Sequence, residues 1–176
     1  PEPENWPDPV DEAAYHGLLG ELAHIIEPHT EADPVAVLLH NIVMFGNAVG
    51  HDPHFRVGAT RHHTVESAIL VGVSSKGRKG TAEAEARRPY SIIEDPWTGR
   101  MTSGLSTGEG LLYAVRDPVE KSEPIREGKG RDRKITGYET VVIDPGEQDK
   151  RALVIESEWG RVLRAMERDG STLSSV

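Results

Sequence analysis

The chain has 176 residues, 36% apolar and 28% charged, with a formal net charge of −9 at pH 7 and no cysteine. That length supports one core of ordinary size, and the missing cysteine excludes disulfides and thiolate metal sites. No apolar run approaches the roughly 20 residues of a membrane span, and the acidic balance excludes a surface coated in nucleic-acid-binding charge.

A cytoplasmic location is expected on those grounds. The chain opens at Pro1 and stops at "GSTLSSV" just after a polar turn, so it reads as a piece of a longer protein.

In "WPDPVDEAAYHGLLGELAHIIEPHT", Asp8 suits a cap, Pro9 the first helical position and Asp11 the first turn. The pattern predicts a helix ending near Glu27, ahead of Pro28, with Leu18, Leu22, Ile25 and Ile26 on its core face. "ADPVAVLLHNIVMFGNAVG" repeats the device with Asp33 and Pro34, but its apolar residues run nearly all round, which predicts a helix buried at the centre of a core. These two helices form a lead-in over residues 1–50, ahead of a second region over 51–176.

"HFRVGATRHH" and "VESAILVGV" then read as two short strands, the second a continuous apolar run that suits a strand covered on both faces of a sheet. A glycine-rich basic loop follows, and "TAEAEARR" predicts a helix until Pro89. In "RMTSGLSTGEGLLYAVRD", Ser106 and Glu109 form a predicted capping box for a helix running to about Arg116; a catalytic role for Glu109 is the alternative.

Residues 117–150 are too polar for a core, and only "YETVVI" has strand character, so this stretch reads as an excursion from the domain. "RALVIESEWGRVLRAMERDG" predicts a short buried strand at Leu153–Ile155, two acids, and a helix with Trp159, Val162, Leu163 and Met166 on one face.

The order strand, glycine loop, helix is that of a phosphate-binding loop. There, backbone N–H groups and a helix N-terminus face the anion, a lysine meets the terminal phosphates and a hydroxyl ligates magnesium. Gly72 and Gly77 have the separation of G-x-x-x-x-G-K-[ST], but Arg78 takes the lysine position and Lys79 comes one later. Aligned instead on Lys79, Gly80 and Thr81, the segment matches a G-K-G-[ST] variant with Arg78 in place of a glycine. Both registers stay open, as does a basic strand-to-helix connection. Downstream, "LVIESE" ends an apolar run in Glu156 and Glu158, which suits an acidic pair that reaches a metal ion and orients a water.

Taken together, "VGVSSKGRKGT", "SGLSTGEGL" and "RALVIESEWGRVLRAM" resemble a family of P-loop proteins from actinobacterial, phage and plasmid elements. Members occur with primase-polymerase modules and are similar to RecA-like ATPases such as RepA and DnaB-type helicases. The resemblance implies an α/β fold with a RecA-like P-loop NTPase core sheet, incomplete in this chain and preceded by the two helices. It implies that Gly72, Gly77, Lys79, Gly80 and Thr81 hold the phosphates of ATP, with Thr81 and Glu156 at Mg²⁺. Glu156 and Glu158 become the catalytic acids, and the partners become a nucleotide, nucleic acid and further copies of the chain in a hexamer. The implied function is ATP binding with hydrolysis in DNA replication or helicase-type transactions of a mobile element.

Two rivals come from other classes. A non-catalytic DNA-binding or assembly module would use the basic stretch from Lys76 to Arg88 on phosphates, and a nucleotide kinase is suggested by "KGT". His51 and His54 with His62 or His63 offer a minor metal reading if the two segments adjoin. Trp6, Trp97 and Trp159 are too scattered to stack bases and are expected to cover core edges.

Overall fold

The computed structural model describes residues 8–72, 78–128 and 134–175. It is mixed α/β, with small sheets of two strands each. The chain divides into two units, Pro1–Ser103 with Leu153–Ser157, and Gly104–Ala152 with Glu158–Val176.

In the first unit, Asp11 caps a short 3₁₀ turn, Glu12–Tyr15, by accepting from the Ala13 N–H at 2.8 Å. Gly17, at φ +74°, breaks away from that turn, so helix α1 spans Gly17–Ile26 and starts well after the predicted Asp8–Pro9 signal. Its inward residues are Leu19, Gly20, Ala23 and Ile26, whereas Leu18 and Ile25 of the predicted core face are exposed. Gly20 fixes that orientation: a Cβ there would lie 1.7 Å from the Tyr15 carbonyl oxygen.

Helix α2, Pro34–Val49, begins where the sequence indicates, with the Asp33 carboxylate accepting from the Val35 and Ala36 N–H groups. It is central as expected, burying Ala36, Val37, Leu38, Asn41 and Met44. Helix α3, Lys79–Arg87, packs on α2 through Ala82 and Ala86, both fully buried, and small side chains allow the two backbones to approach. The chain continues through Pro89 as a 3₁₀ turn, Arg88–Ile92. Tyr90 and Trp97 close this core. The Trp97 indole N–H donates to Asn47 Oδ1 at 2.7 Å, the Tyr90 hydroxyl donates to the Asn41 carbonyl at 3.3 Å, and the rings meet edge-on at 5.5 Å.

The strands differ from expectation. "HFRVGATRHH" is a hairpin, β1 (His54–Val57) against β2 (Thr60–His63), because Gly58 at φ +60° turns the chain between them. The run expected to form a doubly covered strand has no regular secondary structure over residues 65–72 and enters no ladder. Leu70 packs on the core while Ile69 and Val71 face solvent, Val71 at 91% exposure. The only parallel pairing among the described residues is two residues long, β3 (Met101–Thr102) beside β6 (Leu153–Val154). A sheet that would cover the apolar run on both faces is therefore missing among the described residues. The predicted strand at Leu153 is present, and the Ile155 N–H extends the pairing by donating to the Thr102 carbonyl at 2.9 Å.

In the second unit, helix α4 covers Gly108–Ala114 and stops short of Arg116. Its cap is Thr107, whose Oγ1 accepts from the Gly110 N–H at 3.0 Å, one residue later than the predicted Ser106 box. The polar stretch that reads as an excursion is an antiparallel hairpin, β4 (Val119–Glu127) against β5 (Lys134–Asp144). Both its faces are solvated, so the strands carry no inward apolar set. Pro124 is tolerated because β4 has one free edge. Helix α5, Trp159–Met166, buries Val162 and Ala165, while Trp159 and Leu163 on the same face are partly covered, at 44% and 45% exposure.

Candidate functional site

Helix α3 opens with Lys79, Gly80 and Thr81, so the three residues of the "KGT" match form its first turn, where N–H groups have no helical carbonyl ahead of them. The Lys79 ammonium folds back and donates to the carbonyl oxygen of Gly72 at 3.2 Å, tying the end of the apolar run to the start of the helix. Thr81 is exposed and nothing crowds Gly80. Gly77, together with Lys76, lies outside the described residues.

Arg78, the cap of α3, is the one non-glycine residue at positive φ among the described residues, with φ 43° and ψ 31°. This left-handed conformation is natural to glycine and costs other residues about 1–2 kcal/mol. It falls at the position where the G-K-G-[ST] register expects glycine. The backbone at this one residue is one that glycine adopts freely, although the side chain is arginine. The guanidinium pairs with Glu31, in the turn ahead of α2, and both side chains are well exposed.

Further along the basic stretch, Arg87 pairs with Glu83 at 3.1 Å and Arg88 with Glu85 at 3.8 Å, each about one turn back along the same helical region. These internal partners lower the charge available to a nucleic-acid backbone.

Glu156 follows β6 in the first unit and is half-buried. Glu158 belongs to the second unit, where it is exposed at the N-cap position of α5 and makes no side-chain cap bond. Glu109 is engaged otherwise: its carboxylate accepts from the Thr172 hydroxyl, and Thr172 Oγ1 accepts from the Gly108 N–H at 3.1 Å. That hydroxyl, helped by the residue's own N–H, holds the Glu109 carboxyl below the usual range. Glu109 thus anchors the C-terminal turn to α4, a role that sequence reasoning missed because its partner is far away along the chain.

The histidine segments do adjoin. His51 stacks on His63 with ring centroids 3.6 Å apart, His54 lies 5.4 Å from His63, and Phe55 stacks on His62. Stacked imidazoles hold their nitrogens side by side rather than aimed at one point, and no group of His, Asp or Glu among the described residues is arranged to hold a metal ion.

A second polar cluster also escaped the sequence reading. Arg116 forks onto Asp144 at 2.8 and 3.1 Å, reaches Glu147 at 3.3 Å and lies 4.0 Å over the Tyr113 ring. Lys150 donates to the carbonyls of Val115 and Arg116 and to Asp117. Arg116, and then the Gly146 N–H, hold the Asp144 carboxyl below its ordinary range, and Lys150 does the same for Asp117. The cluster clamps the base of the β4–β5 hairpin; the "DPG" turn at Asp144 was its visible signal.

No family model, no curated protein and no solved structure matches this chain. Among the described residues no helix is long and apolar enough to cross a membrane.

Proposed function

We propose that the segment from Gly72 to Thr81 binds the phosphates of ATP with Mg²⁺, as a modified P-loop of the RecA-like type. The observation that carries this reading is the closure of Lys79 onto Gly72 at the head of α3, with residue 78 in a glycine conformation. An ammonium resting on a loop carbonyl is positioned to exchange that acceptor for a phosphate oxygen, a stronger, charge-assisted partner. The first-turn N–H groups of α3 add the anion preference of a helix N-terminus.

In this reading Lys79 neutralises the β and γ phosphates, Thr81 offers its hydroxyl to Mg²⁺, Glu156 holds a metal-bound water and Glu158 orients the attacking one. Mg²⁺ supplies charge neutralisation at the phosphates. Hydrolysis serves DNA replication or helicase-type transactions of a mobile element, with nucleic acid and further copies of the chain as partners.

Calorimetry with Mg-ATP tests the reading. The unaltered chain is expected to bind, and Lys79→Ala to lose binding; equal heats for the two proteins would overturn the assignment. Salt-dependent binding to DNA in a chain that takes up no nucleotide would replace it with an assembly module.

A further inference from the structure

The β1–β2 hairpin follows the end of α2 at Gly50 and is tied back to it by the Thr64 hydroxyl, shared between the Gly46 and Gly50 carbonyls at 3.3 and 3.4 Å. From His54 to His63 its sequence holds two arginines, three histidines and no acid, in a chain whose net charge is −9. Strand pairing sorts these residues onto two faces. Directly opposite partners share a face, so His54 with His63 and Arg56 with Arg61 lie on one, and Phe55 with His62 and Val57 with Thr60 on the other. His51 extends the first face by stacking on His63. The His54 and His63 rings are held there by their Nδ1–H groups, which donate to the carbonyls of Asp52 and His51.

Arg56 opposite Arg61 works against the fold, because like charges at directly opposed positions destabilise a strand pair. Both arginines are exposed, and neither has a carboxylate partner among the described residues. Arg87, Arg116 and Arg151, by contrast, each pair with an acid. We propose that this face of the hairpin binds the phosphate backbone of nucleic acid. Opposed Cβ atoms stand about 4.5–5.5 Å apart, and successive rows on one face are about 6.5 Å apart. The groups therefore form a line along the ribbon, which suits a chain of phosphates better than a single anion. Guanidinium groups fork onto phosphate oxygens, and neutralising the backbone releases its counterions. Phe55 and Val57, the apolar residues that a membrane surface would need beside the cations, lie on the reverse face. The inference stands apart from the phosphate-loop reading, since none of its residues belongs to the segment from Gly72 to Thr81.

The test is fluorescence anisotropy of the full chain with labelled DNA oligonucleotides, one single-stranded and one duplex, across a range of salt concentrations. Two arginines on phosphates predict binding at low salt that weakens with a log–log slope of about −1.4 for the single strand or −1.8 for the duplex. Arg56→Ala and Arg61→Ala should each reduce the slope by about one, whereas Arg126→Ala, equally exposed on β4, should leave it unchanged. Arg56→Glu separates binding from folding. It sets an acid opposite Arg61, so binding should be lost while the melting temperature holds or rises.

The comparison of the two oligonucleotides shows whether the phosphates come from a strand or a duplex. Equal slopes for the unaltered chain, Arg56→Ala and Arg61→Ala would overturn the proposal, as would a marked fall in the melting temperature of Arg56→Glu. Binding to phosphatidylserine vesicles through the same two arginines, with neither DNA bound, would replace nucleic acid by a membrane surface. DNA binding through the hairpin in a chain that takes up no Mg-ATP would leave this proposal standing and remove the phosphate loop.

Discussion

The Lys79 ammonium and the Gly72 carbonyl, 3.2 Å apart, join the two ends of the candidate phosphate loop through a single exposed hydrogen bond. Such a bond contributes little to folding, so Lys79→Met should change stability by no more than about 0.5 kcal/mol. The same substitution removes the charge proposed to meet phosphate. Denaturant melts that coincide with those of the unaltered chain, alongside lost Mg-ATP heats, would separate binding from folding. A large fall in the melt would show instead that Lys79 serves the fold.

Gly46 controls how the chain approaches that loop. A Cβ at this helical position would lie 2.0 Å from the Thr64 carbonyl oxygen, and the obstacle is backbone, which cannot rotate away. Gly46→Ala should therefore cost on the order of 1–3 kcal/mol, despite alanine's better helix propensity. It should also displace the Thr64–Gly72 run from α2. Urea denaturation measures the first effect, and amide exchange across residues 64–72 measures the second; a stabilised variant would contradict the close approach.

Helices were more legible than strands. Asp33–Pro34 announces α2 because the cap and the fixed proline φ act locally, and the alanines and glutamates after the loop announce α3 in the same way. Of the β4–β5 hairpin only "YETVVI", within β5, read as strand; the rest was hidden because both faces are wet, which removes the alternation that marks a half-buried strand. For residues 65–71 the apolar content was read as burial on both faces, yet only Leu70 turns inward, since burial depends on neighbours that a local pattern does not contain. The candidate site divides likewise. The "KGT" turn at the head of α3 was visible, whereas the Glu31 partner of Arg78 and the Thr172 partner of Glu109 are long-range contacts with no signature of their own.

Trp97 is 2% exposed, and its indole N–H has Asn47 Oδ1 at 2.7 Å. Asn47→Ala takes that acceptor from a buried donor and should destabilise the first unit by about 1–3 kcal/mol. Trp97→Ala adds a cavity and should cost about 3–5 kcal/mol. Chemical denaturation followed by circular dichroism ranks the two, and a milder effect from Trp97→Ala than from Asn47→Ala would refute this packing.

Stability should fall at both ends of the pH scale for different reasons. Burial pushes the Tyr90 hydroxyl up to about 12, above its ordinary value of about 10, so folding favours the protonated form. Its contribution is complete below about pH 10 and is lost as pH rises towards 12, a loss that Tyr90→Phe should remove. Asp144 and Asp117 move the other way, held low by Arg116 with Gly146 and by Lys150 respectively. Their contributions are present above the ordinary carboxylate range and are lost as pH falls through their depressed values. Melting temperatures across pH, compared with Asp144→Asn, check the acid limb; a flat profile shared by both proteins would show that the hairpin clamp does not report on pH.

Arg78→Gly pits two local terms against each other. Releasing an L-residue from φ 43° recovers about 1–2 kcal/mol, while glycine's extra freedom in the unfolded chain costs about 0.5–1 kcal/mol. The lost pair with Glu31 is exposed on both sides and contributes at most about 1 kcal/mol. The sum should be near zero or slightly stabilising, so arginine at this position gives the fold no clear advantage. A measured loss of more than about 2 kcal/mol would mean that the Arg78–Glu31 contact is structural after all. A neutral change accompanied by weaker Mg-ATP binding would place the role of the side chain in the loop's chemistry, since the left-handed turn itself is one that glycine reproduces.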